Sequence, residues 1–356
     1  METDSLISSY SFDLPPERIA QRPADRRDAS RLMLLRRDGT TEDRIFSDLP
    51  ELLEPGDILI RNNARVLRSR LIGRRRGGGA AEILAVRRDD GDGREAWLCL
   101  ARPANRFKPG REFVFADGRL SARALGQDRQ GLVRMEFSLF GDAFLEALEK
   151  FGQVPLPPYI ERSARRPTPE DGQRYQTHYA SRPGAAAAPT AGLHFTPELD
   201  RRLLAKGIGI AELTLQVGPG TFRPVKAKNL DNHRMDAEWY EVPEAAWRQA
   251  IEARVRGGRL VAVGTTSARA LESAALGTGG AALSGWTDIL IRPGHRFSLV
   301  DGLVTNFHPP GSTPLVLAAA LAGRETLLAA YAGAVEGGYR FYSYGDAMLI
   351  WRAEKG

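Results

Sequence analysis

Cysteine is almost absent: Cys99 stands alone in 356 residues, so the chain can close no internal disulfide and offers no cysteine cluster to a metal. Histidine is scarce as well. The five (His178, His194, His233, His295, His308) never fall at the i, i+3 or i, i+4 spacing of a helical metal site. No apolar run approaches the roughly 20 residues of a membrane helix, and the acidic start Met1-Glu2-Thr3-Asp4-Ser5 lacks a signal peptide's basic-then-apolar order. A P-loop and a G-x-S-x-G elbow are both missing. Lys206-Gly207-Ile208-Gly209 resembles a dinucleotide fingerprint only superficially, because it joins a helix to a strand instead of opening a helix after one. These absences predict a cytoplasmic, metal-free protein with no membrane partner.

What is present is ordinary in bulk and uneven in detail. Hydrophobic residues make up 42% and charged residues 26%, as in a globular protein long enough for two domains. The net charge of +6 is modest for this length. Its distribution says more: Arg61, Arg65, Arg68, Arg70, Arg74, Arg75 and Arg76 form an acid-free run that ends in Gly77-Gly78-Gly79. Guanidinium forks suit phosphate, although a solvated Arg-rich hairpin accounts for the run equally well.

The texture of the chain changes twice. Leu6 to Phe12 reads as a short strand, followed by a helix entered at Pro15-Pro16-Glu17, a strand at Leu32–Leu35, an amphipathic Ile45 to Leu53 and a strand at Ile58–Ile60. From residue 66 short alternating runs such as Glu82–Val86, Ala96–Leu100, Glu112–Phe115 and Leu132–Phe137 are cut by Gly/Asp turns, the rhythm of a small antiparallel barrel or sandwich. A helix from Asp142 to Lys150 closes that block. Beyond it, strands at Ala211–Leu215, Leu260–Val263 and Thr287–Ile291 alternate with five helices: Pro197–Lys206, Pro243–Arg256, Ala268–Leu276, Pro314–Ala322 and Thr326–Glu336. The expectation is an α/β (α+β) main domain, residues 1–65 and 151–356, interrupted by an inserted antiparallel β-barrel at 66–150.

Three loop segments could carry chemistry. Val263-Gly264-Thr265-Thr266-Ser267-Ala268-Arg269 runs from a buried strand into a helix start, where amides can meet a carboxylate or phosphate, or where Thr266 or Ser267 merely caps the helix. Thr305-Asn306-Phe307-His308-Pro309-Pro310-Gly311-Ser312-Thr313 delivers polar groups to a rigid loop. Ala185 to Ala188, cancelled as a helix by Pro189, lead through Thr190-Ala191-Gly192-Leu193 to His194. Small residues there let backbone approach a ligand, and His194 is either an acid/base group or a buried histidine holding its loop.

With these segments in view, the chain resembles the S-adenosylmethionine:tRNA ribosyltransferase-isomerase family of queuosine biosynthesis. The resemblance rests on Ile19–Pro23, Arg27–Leu32, Gly56–Asn63, Pro155–Ile160, Ala188–Phe195, Val263–Ser267, Thr305–His308 and Arg340–Ala347, in order along nearly the whole chain. Gln216 departs from it, standing where the family commonly has His; Asp236, His178 and His295 are also atypical.

The resemblance implies transfer and isomerisation of the ribosyl part of S-adenosylmethionine onto 7-aminomethyl-7-deazaguanine at the tRNA wobble position. The products are epoxyqueuosine-tRNA, adenine and methionine. It implies no cofactor, since S-adenosylmethionine is a co-substrate whose sulfonium supplies the activation. The expected catalytic set is His194, His308 and Asp28. Asn306, Asp346, Arg31, Asn62, Asn63, Thr190, Gly192, Arg269, Ser312 and Thr313 join it as substrate-binding candidates. Thr265, Thr266 and Ser267 are expected to hold the methionine carboxylate, with Phe195 or Tyr344 stacking on the wobble base. Arg61, Arg65, Arg74, Arg75 and Arg76 are the expected clamp on the tRNA anticodon stem-loop, and the protein is expected to be a monomer. Two rival readings are an S-adenosylmethionine-dependent RNA methyltransferase, whose glycine-rich loop and acidic strand end are missing, and a non-catalytic RNA-binding protein.

Overall fold

The computed structural model describes residues 3–89, 96–128, 131–163, 167–218, 225, 227–277 and 281–353. In chain order, β1 (Arg31–Leu35), β2 (Thr41–Ile45), α1 (Leu49–Leu52), β3 (Ile58–Asn62) and β4 (Ala64–Val66) precede the barrel. The barrel strands are β5 (Arg70–Arg75), β6 (Ala80–Asp89), β7 (Ala96–Arg102), β8 (Glu112–Phe115), β9 (Leu120–Gln127) and β10 (Val133–Phe137). After α2 (Gly141–Phe151), α3 (Pro169–Arg174) and β11 (Arg182–Ala185) come α4 (Pro197–Ala205), β12 (Gly209–Leu215), β13 (Glu238–Glu241) and α5 (Glu244–Val255). The chain ends in β14 (Leu260–Val263), α6 (Thr265–Ala275), β15 (Ser284–Thr287), β16 (Gly302–Asn306), α7 (Thr313–Ala322), α8 (Arg324–Glu336) and β17 (Ala347–Trp351).

Nine strands form the main sheet in the order β15-β13-β12-β3-β14-β16-β17-β1-β2. Its centre, β12-β3-β14-β16, is parallel, and β17 returns antiparallel beside β16 with β1 parallel to it. Strands covered on both faces read as unbroken apolar runs. Alternation then sorts them: Met33, Leu35, Ile58 and Ile60 point into one core layer with α5 to α8, while Leu32, Leu34 and Leu59 point into the other with Phe46, Leu49, Leu199 and Leu203.

The six barrel strands close in the order β10-β7-β6-β5-β8-β9, every pair antiparallel. They enclose a core of their own, including Leu71, Ile83, Phe113, Phe115, Met135, Phe144 and Leu148. Two adjacent strands of chain join barrel to sheet. β4 pairs with β11 on the way in, and Arg70 bridges Gln153 on the way out. Among the described residues no single helix is long and apolar enough to cross a membrane.

Three expected elements differ. Leu6 to Phe12 is not a strand: it forms 3-10 turns at Thr3–Ser5 and Ile7–Tyr10, closed by Ser9 N–H to Leu6 O and pinned by Tyr10, whose ring is buried and whose hydroxyl donates to Asp4 O. The helix expected at Pro15 is one 3-10 turn, Pro16–Arg18. The strand expected at Thr287–Ile291 lies earlier, at Ser284–Thr287. There the Thr287 hydroxyl accepts from Ile289 N–H, a local bond that turns the chain away from the ladder.

The junction requires a glycine at 152. A Cβ there would lie 1.6 Å from Arg68 O and 2.6 Å from Leu148 O, both backbone atoms that cannot swing aside. Gly152→Ala is therefore expected to lower stability by at least the ~1–3 kcal/mol of an overpacked site. A thermal unfolding midpoint equal to wild type would show that the crossing is loose.

Candidate active site

The parallel order carries Asn62, Leu215, Val263 and Asn306 to one edge of the sheet, the edge where ligands of open α/β sheets gather. Because β17 runs against β16, and β1 parallels β17, the amino ends of those two strands reach the same edge with Asp346, Ser30 and Arg31. Sequence-distant loops thus meet around a cavity of about 360 Å³. Ala187, Ala188, Pro189, Thr190 and Ala191 form one wall; Gly264, Thr265 and Thr266 a second; Thr305, Asn306, His308 and Ser312 a third. Tyr159, Tyr342 and Ser343 complete it.

Each wall has a local cause. Thr190–His194 winds as a 3-10 turn whose small residues are almost wholly buried. Gly192 has no room for a side chain, since a Cβ would lie 2.0 Å from the Tyr179 hydroxyl. It is small for packing, not for a substrate. Gly264 takes φ +88° between β14 and α6, and no side chain caps the helix that follows. The Ser267 hydroxyl instead bonds back to Val263 O, and Thr266 Oγ1 accepts from Asn62 Nδ2. Ser312 caps α7, accepting from Leu315 N–H.

The two candidate histidines differ in position. His194 is buried behind the wall: its Nε2 meets Asn306 Nδ2 at 3.1 Å and its Nδ1 meets Ser30 Oγ at 2.7 Å, with Phe46 stacked on the ring. Asn306 Nδ2 also donates to Tyr342 O, so the amide orientation is fixed and His194 Nε2 must accept. The imidazole is then neutral with its proton on Nδ1, and burial pushes its pKa down to about 4. Its ring nitrogens are both occupied, so it positions Asn306, which does line the cavity. His308 lines the cavity itself. Its Nε2 bonds Thr305 Oγ1 at 2.6 Å, its backbone N–H bonds the Tyr331 hydroxyl, and desolvation pushes its pKa down to about 3.

Other expected residues hold the site from outside. Asp28 is buried, 3.3 Å from Arg26 and 3.5 Å from Thr196 Oγ1, and makes no hydrogen bond to either histidine. Asp346 accepts from Arg31 N–H, Arg340 N–H and Arg340 Nη2, tying β17 to the start of β1. The Arg31 side chain lies over Tyr339, away from the cavity. The Asn62 side chain donates to Leu215 O and accepts from Leu215 N–H, and Asn63 Oδ1 accepts from Thr214 Oγ1. Phe195 is fully buried against Phe46 and Tyr179, and Tyr344 is buried with its hydroxyl on Asp171, so neither ring is free to stack on a base. Arg269 and Thr313 line a crevice beside the cavity.

Sequence reasoning missed Tyr159 and Tyr342, whose rings stand 4.5 Å apart on the cavity wall. Tyr342 takes φ +72°, a left-handed conformation rare for a bulky side chain and enriched at functional sites. Gln216 packs on Gly184 in a crevice at the barrel junction shared with Asp236, so these two departures from the family pattern lie outside the cavity. His178 bonds Asp200 and His295 bonds Glu272.

The arginine run divides. Arg61 is buried between Asp200 and Glu212 with its guanidinium over Tyr179, which removes it from any solvent-facing clamp. Arg65 is exposed and pairs with Glu149, Arg74 is exposed on β5, Arg75 is half-buried, and Arg76 is exposed beside Glu112. Among the described residues no cluster of His, Cys, Asp and Glu could hold a metal.

An α/β sheet with an inserted barrel, and a cleft of mainly apolar walls with a few convergent polar groups at the carboxyl ends of its parallel strands, has the layout of a small-molecule enzyme. Residues 7–350 match the family described as "Queuosine biosynthesis protein", and the chain belongs to that family. It is 51% identical to the S-adenosylmethionine:tRNA ribosyltransferase-isomerase of Moorella thermoacetica over 97% of this chain and 99% of that one. The enzyme of the same name from Symbiobacterium thermophilum is 50% identical, with the same coverage. The crystal structure of S-adenosylmethionine tRNA ribosyltransferase from Thermotoga maritima is similar at 38% identity and a TM-score of 0.55, covering 96% of this chain and 99% of that one.

The folded His194 takes up its proton near pH 4, the unfolded chain near 6.5. Between these values the unfolded state binds more protons, so the His194 contribution to stability is full above about 6.5 and lost as pH falls toward about 4. NMR of labelled imidazoles should show His194 neutral, with Nδ1 protonated, down to about pH 4. A midpoint near 6.5 would mean the ring is not sealed.

Proposed function

We propose that the cavity binds S-adenosylmethionine and that the enzyme transfers and isomerises its ribosyl moiety onto the aminomethyl group of 7-aminomethyl-7-deazaguanine at the wobble position of tRNA. Epoxyqueuosine-tRNA, adenine and methionine are released. The observation that carries this reading is the cavity itself: one cleft faced by a neutral imidazole, an amide held from behind, and two tyrosine rings. The family match over residues 7–350 supports it.

The chemistry asks for a base at C5′, whose hydrogens the sulfonium acidifies, and for a dry, oriented site. In the tautomer that donates Nε2–H to Thr305 Oγ1, His308 presents a bare Nδ1 and serves as that base. Asn306, fixed by His194 and Tyr342, orients the ribosyl group. His194 is a positioning residue here. Tyr159 and Tyr342 take the stacking role against a purine.

Arg65, Arg74, Arg75 and Arg76 remain the tRNA clamp. The β5 strand (Arg70–Arg75) leaves the junction at Arg70, so its far end lies ~17 Å away at about 3.3 Å per residue. Such a spacing suits a grip on the anticodon stem while the wobble base enters the cavity.

The defining assay incubates labelled S-adenosylmethionine with deazaguanine-modified tRNA. Free adenine is the expected product; S-adenosylhomocysteine would indicate a methyltransferase, and no turnover a binding protein. His308→Ala should cut turnover by about 10²- to 10⁴-fold, and near wild-type turnover would remove it as the base. Replacing Arg74, Arg75 and Arg76 by Gln should weaken tRNA binding and flatten its salt dependence. An unchanged salt slope would place the tRNA elsewhere.

A further inference from the structure

A second crevice opens where the barrel meets the edge of the main sheet. Val86, Arg87 and Leu132 line it from the barrel, Trp239 and Trp286 from β13 and β15. It adjoins the active-site cavity, because Val217 lines both spaces.

Register builds each wall. Successive strand residues point to opposite faces, yet Val86 and Arg87 both line the crevice. A β-bulge is the cause: pairing with β7 shifts between Ala85 and Arg87, which leaves Val86 without a partner there and re-aims Arg87. Among the described residues Arg87 makes no ion pair, whereas Arg70, Arg76 and Arg123 of the same barrel each hold a glutamate. On the sheet, Trp239 and Trp286 stand opposite each other in the β13–β15 ladder, on the face away from Tyr240, which enters the core. Their rings meet edge to face at 5.9 Å. Trp286 belongs to the edge strand and is 54% exposed, although tryptophan is highly buried on average. The Arg87 guanidinium lies 5.2 Å from its ring centre, against 3.7 Å for Arg61 over Tyr179, so the contact is loose. Gln216 and Asp236 add an amide and a carboxylate to the same crevice.

An exposed indole, an unpaired guanidinium and an amide beside a carboxylate match the parts of a single-stranded nucleotide. Its base stacks on the ring, its phosphate meets the arginine, and its edge pairs with the polar groups. The carboxylate disfavours a phosphate inside the crevice, so the base enters and the backbone stays with Arg87. The position fits as well. β6 runs antiparallel to β5, from Ala80 opposite Arg74, past Leu84 opposite Arg70, and on to Arg87. Arg87 therefore stands at the junction end of the barrel, between the arginine clamp and the cavity.

We propose that Trp286, backed by Trp239 and Arg87, is the stacking platform for the nucleotide next to the wobble base, with Gln216 and Asp236 reading its edge. This rests on the tRNA reading above and adds a second base site beside the cavity. Holding the neighbour on the platform keeps the strand splayed, so that the wobble base alone enters the cavity. Gln216 and Asp236 are positions where this chain departs from its family's pattern, which makes the edge contacts its own.

The test measures adenine release by wild type and Trp286→Ala on anticodon stem-loops that carry the deazaguanine, either intact or abasic at one flanking position. Trp286→Ala should raise the KM for intact RNA by about 5- to 150-fold, the size of one base–aromatic stack, and leave the KM for S-adenosylmethionine at its wild-type value. Trp286→Phe keeps a ring and should recover most of the loss. Removing the base that occupies the platform should weaken wild type by a similar factor and add nothing in Trp286→Ala. Additive losses at both flanking positions would overturn the platform, as would an unchanged RNA KM in Trp286→Ala. Wild type indifferent to both abasic RNAs would overturn it without any variant. A wild-type dimer in sedimentation that Trp286→Ala splits would also do so, since the indole would then serve a second copy. If wild type released no adenine from intact RNA, the catalytic reading would fall instead, and direct RNA binding by the same proteins would still decide the platform.

Discussion

The contact between His194 and Asn306 is the constraint around which the site is assembled. It joins the loop that follows β11 to the end of β16, and through Ser30 it reaches the start of β1. Three segments far apart in sequence are thereby held by one ring that must stay neutral. Protonation would place a donor against the Asn306 amide donor, and burial in an apolar surround already disfavours the charge. The imidazole behind the wall thus acts through geometry, whereas His308 lines the cavity itself.

The architecture was legible because its signals are local. Unbroken apolar runs at β1, β3, β14 and β16 mark strands covered on both faces, and the short alternating runs after residue 66 mark the barrel. The three loop segments were legible too, since Gly and Pro punctuation between apolar runs points to backbone shaped for a purpose. Individual roles were not. Gly192, Asp346 and Phe195 sit inside motifs that resemble a binding site, yet each serves packing or a backbone clip. Tyr342 went unnoticed because a positive φ leaves no mark on a tyrosine in sequence, and its partner Tyr159 lies far away in the chain.

The arginines teach a related point. A count along Arg61 to Arg76 treats every guanidinium as surface charge, whereas Arg61 is neutralised inside by Asp200 and Glu212, and Arg70 pairs with Glu82. Acids on other elements decide which cations remain for a polyanion. Arg269 is the converse case: a single arginine in a helix looks unremarkable in sequence, yet it is buried and paired with Glu238.

The way the barrel is spliced into the sheet also governs the order in which the chain can fold. β3 ends at Asn62, while its two neighbours, β12 and β14, start at Gly209 and Leu260. During synthesis the barrel's neighbouring antiparallel strands can close on nearby residues, whereas the wholly buried β3 must wait for chain made more than a hundred residues later. Until then Ile58-Leu59-Ile60 is an unpaired apolar strand, and it is the segment of the nascent chain that most needs shelter from aggregation.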